Sequence, residues 1–431
     1  MTTKRHFPQA LCLVFLACSM TMGLAAQTTD TDKKIADLEK QLEVVRAQID
    51  ALKAAPAPAP AAAAAAATPA AAPASNPLSG ITGVLGGVNL TGLVDAYYGY
   101  NANHPAGGTV TEPFTATNSQ FSLNLIELQL DKPVDKTTPL GFRVAFGFGQ
   151  AINAVNNTGS DVASSLPGAG QYLKEGYLSY FAPLGKGLQI DAGKFVTPAG
   201  AEVIETNQNW NYSRSLLFTY AIPYYHFGAR AKYTFNDKWS LTGLAVNGWN
   251  DVVATNSGKT GGLSLWWNAT KKLTVTETWL GGPRDLAGTG NNGPWNNLSD
   301  TVVAYNLNSK WSFQGNLDYD REEQFGLAKK PADYAGIAGY VKYAVSPNVA
   351  LAGRYEYLND HDGFATTRAQ HLNEFTGTIE RKIAGHLLSR VEYRHDDSNQ
   401  TFFQRGVLGA VKGQATVDAG LVFVLEPNDT K

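Results

Sequence analysis

Cysteine is nearly missing. The 431 residues hold two, Cys12 and Cys18. Both fall in an apolar leader, Leu11–Ala17 and its flank, which follows Lys4-Arg5 and precedes the small residues Gly23, Ala25 and Ala26. That order is the pattern of a secretory signal spanning 1–26, cut near Ala25 or Ala26. The exported chain is then expected to be free of cysteine. A lipid anchor on Cys18 is the rival, disfavoured because Phe15-Leu16-Ala17 makes a poor lipoprotein box. Excess charge of one sign is also lacking: the formal net charge is -2, which argues against a nucleic-acid partner. Beyond the leader no run reaches the roughly 18–20 apolar residues of a membrane helix. Catalytic signatures are missing too, with no nucleophile elbow, no His-Glu-x-x-His and no phosphate loop in context. Neither a catalytic residue nor a cofactor is therefore assigned.

What the chain does have is alternation. From about residue 88 onward short segments switch between apolar and polar at every step. Phe142, Val144, Phe146 and Phe148 face one way, and Arg143, Ala145, Gly147 and Gly149 the other. A strand sends successive side chains to opposite faces, so each segment has one greasy and one wet face. Rings and aliphatics outside with polar groups inside is the pattern of a barrel bathed in lipid and filled with water. An open sheet would leave unpaired backbone in hydrocarbon, so a membrane-spanning sheet must close.

The strand expectations are 88–100, 120–131, 140–150, 171–182, 187–197, 223–235, 238–250, 261–269, 272–281, 300–308, 311–320, 333–344, 348–358, 371–381, 387–396 and 414–425. They make an all-β, antiparallel transmembrane barrel of about sixteen strands over 88–431. Breaks in phase at Leu125-Ile126 and at Glu277 point to bulges or misassigned segments. Short turns alternate with long loops at 101–119, 151–170, 198–222, 251–260, 282–299, 321–332, 359–370 and 397–413. Long loops face outward in outer-membrane barrels, which puts both ends of the barrel in the periplasm. Trp239 and Trp311 follow short turns and fit an inner aromatic girdle; Tyr100, Tyr224, Tyr225 and Trp249 fit an outer one.

Two segments precede the barrel. Ile35, Leu38, Leu42, Val45, Ile49 and Leu52 recur at steps of three and four, which predicts a short coiled-coil helix over 27–53 in the periplasm. Residues 54–87 begin with an almost pure Ala/Pro tract, a semi-rigid spacer of ~3 Å per residue where extended.

The third long loop is too long and too amphipathic for a plain connector. It falls between the fifth and sixth strands, where sixteen-stranded porins commonly fold a loop inward. Glu202, Glu205, Asn209, Asn211, Tyr212 and Arg214 are the expected lining of a constriction, with packing over the mouth or against another subunit as the alternative. Lumen-facing charges on the strands are Arg143, Lys194, Arg230, Lys232, Arg354, Arg390 and Arg394, against Asp95, Asp191, Asp318, Glu356 and Glu392, with Glu127, Glu175 and Glu374 beside them. They either set up a field across the pore or pair along the wall, and the sign of any ion selectivity stays open. Asp360-His361-Asp362 and His395-Asp396-Asp397 have ligand-like composition but no known calcium-loop spacing, so no metal is assigned. Ser213 and His226 are the one pair with a catalytic flavour, and an enzyme is disfavoured.

Several strings carry a resemblance. Phe121-Ser122-Leu123-Asn124-Leu125, Asp131-Lys132-Pro133-Val134-Asp135-Lys136, Gly193-Lys194-Phe195-Val196-Thr197-Pro198-Ala199-Gly200, Ala221-Ile222-Pro223-Tyr224-Tyr225-His226-Phe227-Gly228 and Val246-Asn247-Gly248-Trp249-Asn250 are among them. Together with Asn209–Ser215 they resemble the OmpL-like β-barrel porin family of Gram-negative outer membranes over roughly 85–425. The resemblance implies a non-enzymatic channel for small hydrophilic solutes or ions, seated among outer-membrane lipids. Porin analogy and the coiled coil together point to a homotrimer. The competing expectation is a structural barrel whose coiled coil tethers it to the cell wall or a partner. The chain departs from the usual pattern by ending in Phe423-Val424-Leu425-Glu426-Pro427 and a polar tail rather than at an aromatic residue.

Overall fold

The computed structural model describes residues 86–156, 168–254, 256–285, 292–326, 329–383 and 385–425. The expected signal segment, the coiled coil and nearly all of the Ala/Pro spacer lie outside those residues. Fifteen strands run in chain order. They are β1 Asn89–Asn101, β2 Gln120–Lys132, β3 Leu140–Phe148, β4 Leu173–Ala182, β5 Leu188–Val196, β6 Tyr225–Asn236, β7 Trp239–Val246, β8 Thr260–Asn268, β9 Leu273–Asp285, β10 Asn292–Asn306, β11 Trp311–Phe325, β12 Lys330–Ser346, β13 Val349–Asp360, β14 Gln370–Ile383 and β15 Leu387–Ser398. A two-stranded hairpin, β16 Phe403–Arg405 and β17 Gly409–Val411, decorates the last outer loop before β18, Gly413–Leu425. Each of β1 to β14 pairs antiparallel with the next; β18 pairs with both β15 and β1, which closes a sixteen-stranded barrel.

Alternation decides which way each side chain points. On β11 Trp311, Phe313, Leu317 and Tyr319 are exposed on the outer surface, whereas Asn316, Asp318 and Asp320 are buried in the interior. At the short-turn end Trp239 stacks on Trp267, with centroids 5.0 Å apart and planes at 8°, and Trp311 lies 4.5 Å from Tyr343. Interfacial rings of this kind anchor a barrel at the headgroup level. Among the described residues no helix is long and apolar enough to cross a membrane.

The outer girdle needs correction. Tyr100 is exposed, but Tyr224 and Tyr225 are buried and belong to a hydrophobic cluster inside the barrel, with Trp249 packed against it. The loop pattern is also less uneven than the sequence reading has it. Strands β9 to β12 extend well past their expected ends, so that β9 ends at Asp285 with β10 starting at Asn292, and β11 ends at Phe325 with β12 starting at Lys330. The Leu125 phase break is a true bulge: Asp95 faces Leu125 and Ala96 faces Leu123, leaving Asn124 as the extra residue. At Glu277 the ladder is unbroken. Glu277 pairs with Leu265 and Thr301, and Thr301 pairs with exposed Leu317, so the carboxylate points outward near mid-strand. Ser299 and Thr301 hydroxyls donate to it, Ser299 at 2.8 Å.

Candidate functional site: a loop clamped across the lumen

A membrane barrel has no need of an apolar interior, yet this one has a core in its lumen. A helix after β3, α1 (Gln150–Asn156), folds inward and lays Ile152 against Gly147 and Leu125. Phe114 from the first outer loop meets Phe218 and Tyr224 from the third edge-on, at 5.4 and 5.5 Å. Three outer loops thus meet inside the barrel, burying apolar surface as a soluble domain does.

The third loop, between β5 and β6, crosses the lumen and touches the wall at stations far apart in sequence. Thr197 and Pro198 start the crossing, with the Pro198 carbonyl 3.5 Å from the Thr278 hydroxyl of β9. The Gly200 N–H donates to Asp300 of β10 at 3.0 Å, and the Ala201 N–H to Asn316 of β11 at 2.9 Å. At the opposite side the Ser213 N–H donates to Glu392 of β15 at 2.8 Å, and so does that of Tyr212. The loop then forms one helical turn, α2 (Leu216–Tyr220), capped by the Ser215 hydroxyl, which accepts from the Phe218 N–H at 2.9 Å. The first two N–H groups of that turn, at Leu216 and Leu217, donate to the Glu356 carboxylate of β13 at 3.0 and 3.1 Å. An anion at a helix start receives N–H groups that have no partner within the helix.

Each residue expected at a constriction can now be placed. Glu202 accepts from the Ser215 N–H at 2.6 Å and pairs with Arg354 at 2.7 Å. Glu205 pairs with Lys174, which also holds Glu127 at 2.6 Å. Asn209 folds back on Val203, giving and receiving one hydrogen bond at 2.8 and 2.9 Å. Asn211 donates to Thr378 at 2.7 Å. The Tyr212 hydroxyl donates to Asp95 at 2.6 Å. Arg214 turns into its own loop and donates to the carbonyls of Val203, Ile204 and Tyr212. Asn211, Tyr212 and Arg214 are 0–1% exposed, so they fasten the loop rather than face a water path.

Burial pushes the Tyr212 phenol well above its usual range, reinforced by Asp95, so it remains a neutral donor. Burial pulls the Arg214 guanidinium down, with Glu202 and Asp95 opposing. Burial would push Glu205 up; Lys174 outweighs it and holds the carboxyl below the usual range. In the first loop, burial pushes Glu112 up to about 7 although Arg394 opposes.

Most of the charged wall residues are paired. Arg354 meets Glu374 and Glu356 at 3.0 Å, Arg390 meets Glu380, and Arg394 meets Asp396 at 2.8 Å. Arg390 and Arg394 also reach carbonyls of the third loop, Arg394 that of Arg214 at 2.6 Å. Arg230 pairs with Asp191 at 2.8 Å, and Arg143 with Asp131 at 2.8 Å and Glu175 at 3.6 Å. Lys194 donates to Asn156 of α1 and to the Leu173 carbonyl, both at 2.7 Å. Lys232 is exposed, in register with Gln189 and Thr242. Asp318 lies opposite Asp300 on the β10–β11 ladder.

Neither suspected metal cluster holds together. Asp360 turns inward to receive the N–H groups of Phe364, Ala365 and Thr366. Asp333 takes its place beside His361 and Asp362, but that exposed group is already approached by Arg321 at 3.7 Å. In the second cluster strand alternation sends Asp396 into the lumen against Arg394, while His395 pairs with outward-facing Phe375. Ser213 and His226 are not partners: the Ser213 hydroxyl is met by Arg354 and Arg394, and His226 by the Gly248 carbonyl.

Residues the sequence reading passed over include Glu202's neighbours in the clamp, Ser215 and Thr206, and the buried wall groups Thr378 and Glu380. Their only local signal was an inward phase on a polar strand or loop.

Comparison with known proteins agrees with this architecture. The family model described as putative beta-barrel porin-2, OmpL-like matches residues 87–425. The anion-selective porin from Comamonas acidovorans superposes with a TM-score of 0.52 at 12% identity, covering 78% of this chain and 99% of that one. The outer membrane channel DcaP of Acinetobacter baumannii gives 0.51 at 13%, covering 78% and 97%. The trimer form of OmpT, an outer membrane protein of Vibrio cholerae, gives 0.51 at 13%, covering 78% and 98%. At such identities these likenesses speak for the fold alone. No curated protein sequence matches the chain.

Proposed function

Because the chain belongs to the putative beta-barrel porin-2, OmpL-like family, we propose that it is an outer-membrane porin through which small hydrophilic solutes and ions diffuse passively. The observation that carries this reading is the closed sixteen-stranded barrel with an apolar outer face and a polar, charged inner face. Family and fold both point to a channel rather than an enzyme. The third loop sets the width of the path, because its carbonyls and carboxylates are held to the wall by buried cations from β13 and β15. Homotrimeric assembly accords with the trimer form of one structural neighbour. The heptad spacing of Ile35, Leu38, Leu42, Val45, Ile49 and Leu52 supports reading 27–53 as a periplasmic coiled coil. Proteoliposome swelling with sugars of graded size tests the proposal: rates should fall steeply with solute size, and swelling equal to that of empty liposomes would refute it.

A second reading is favoured by one observation. The loop is sealed to the wall by fully buried ion pairs, as a plug would be. A structural barrel tethered through its N-terminal segment would then give no stepwise current in a planar bilayer.

A further inference from the structure

The cationic side chains of the lumen are largely occupied, but part of its acidic wall is not. Near the outer ends of β7, β9, β10 and β12 lies a cavity of about 310 Å³. Its walls include Trp249, Tyr334 and Phe364, with Arg284, Asn296 and Asp251 among the polar groups. Arg284 sits over the Phe364 ring at 4.5 Å and the Trp249 ring at 5.6 Å, so the aromatic faces already accept a cation. Arg284 itself is paired with Glu322 at 2.9 Å.

Buried acceptors stand behind these rings without a donor. Asn296, 6% exposed, gives its N–H to Asp320 at 3.0 Å, but its own carbonyl oxygen receives nothing. Asp320 accepts from Asn296 and from the Tyr334 hydroxyl, and one of its carboxylate oxygens is left over. Two residues along the same face of β11, Asp318 lies against Asp300, and the two carboxyl groups can bond only by sharing a proton. Buried acceptors of this kind are costly unless something supplies hydrogens and positive charge.

We propose that this outer cavity binds small organic cations, seating an ammonium group among Trp249, Tyr334 and Phe364 with a hydrogen bond to the Asn296 carbonyl oxygen and the Asp320 carboxylate behind it. Anions are disfavoured because Arg284, the one cation of the lining, is already paired with Glu322, and Asp251 lines the same wall. Neutral polyols bring donors but leave the acidic charge uncompensated. A bare metal ion gains little from a cavity walled by three rings. The site deepens the channel reading, since it would load amines at the outer mouth, but it does not need current to be detected.

The test is calorimetric titration of the full chain in detergent with 1,4-diaminobutane, and with 1,4-butanediol and succinate as neutral and anionic counterparts of equal length. The diamine should bind, with both counterparts at least tenfold weaker. Asp320→Asn should weaken the diamine at least tenfold. Phe364→Ala, which removes a wall from the loop side and leaves the barrel charges intact, should weaken it several-fold. Unheated gel mobility reports whether each variant is folded. Absence of diamine binding to the wild-type chain, equal binding of succinate, or unchanged affinity in both folded variants would overturn the site. Loss of the channel reading alone would leave these heats unchanged.

Discussion

Arg354 of β13 and Glu202 of the third loop are joined at 2.7 Å with side chains 0% and 4% exposed, a fully buried ion pair between wall and loop. Arg354 also serves Glu356 and Glu374, so one guanidinium compensates three carboxylates. Removing one partner of such a group strands the others in a low-dielectric site, at a cost of roughly 3–5 kcal/mol. Arg354→Ala is expected to release the loop while sparing the strand ladder. Thermal unfolding followed by gel mobility should fall, and single-channel current should become larger and noisier.

The Tyr212 hydroxyl and Asp95 give a milder probe. Tyr212→Phe removes one hydrogen bond and should cost about 1–3 kcal/mol because Asp95 is left under-satisfied. A harsher probe comes from the strand behind the ring. A Cβ at Gly420 would lie 2.4 Å from the Tyr212 ring, so Gly420→Ala must displace it. Chemical denaturation of the two variants should rank Gly420→Ala as the more destabilised.

Glu112 gives the first loop a dependence on pH. Burial raises its folded value from 4.5 to about 7. The folded form therefore holds its proton more tightly than the released form does. Stabilisation of the docked loop is complete below about pH 4.5 and is lost as pH rises through 7. Proteolysis within 102–119, compared at pH 5 and pH 8, should be faster at pH 8, and Glu112→Gln should remove most of the difference.

Glu277 faces the hydrocarbon with two hydroxyl partners. A lipid-soluble carbodiimide should label it in reconstituted membranes, and Glu277→Gln should abolish that label. Glu277→Leu should leave the fold intact, since a charge on the lipid face costs energy that grows toward the bilayer centre. A label confined to lumen carboxylates would contradict the outward placement.

Much of the fold was legible because alternation is a local property. Residues 140–148 or 225–235 need only their own order of polar and apolar residues to declare two faces. The slot of the third loop followed from counting. Where the chain turned glycine- and proline-rich, as at Gly282-Pro283, the sequence read as loop although pairing with β10 carries the strand onward. Glu277 looked like a break in phase because a carboxylate is unexpected in lipid; its two hydroxyl partners lie on the neighbouring strand. The interior core was hidden for a similar reason. Phe114, Ile152 and Phe218 come from three loops, and no window of sequence shows that they meet. Tyr212 was visible as a residue of consequence, but whether its hydroxyl faces water or a wall carboxylate depends on Asp95, more than a hundred residues away.

The most direct measurement is planar-bilayer recording of the purified full chain beside a variant lacking 203–213. Stepwise current in the wild type, and clearly larger steps after the deletion, are the results expected of a porin narrowed by its third loop. A folded barrel that stays silent in both forms would contradict passage altogether.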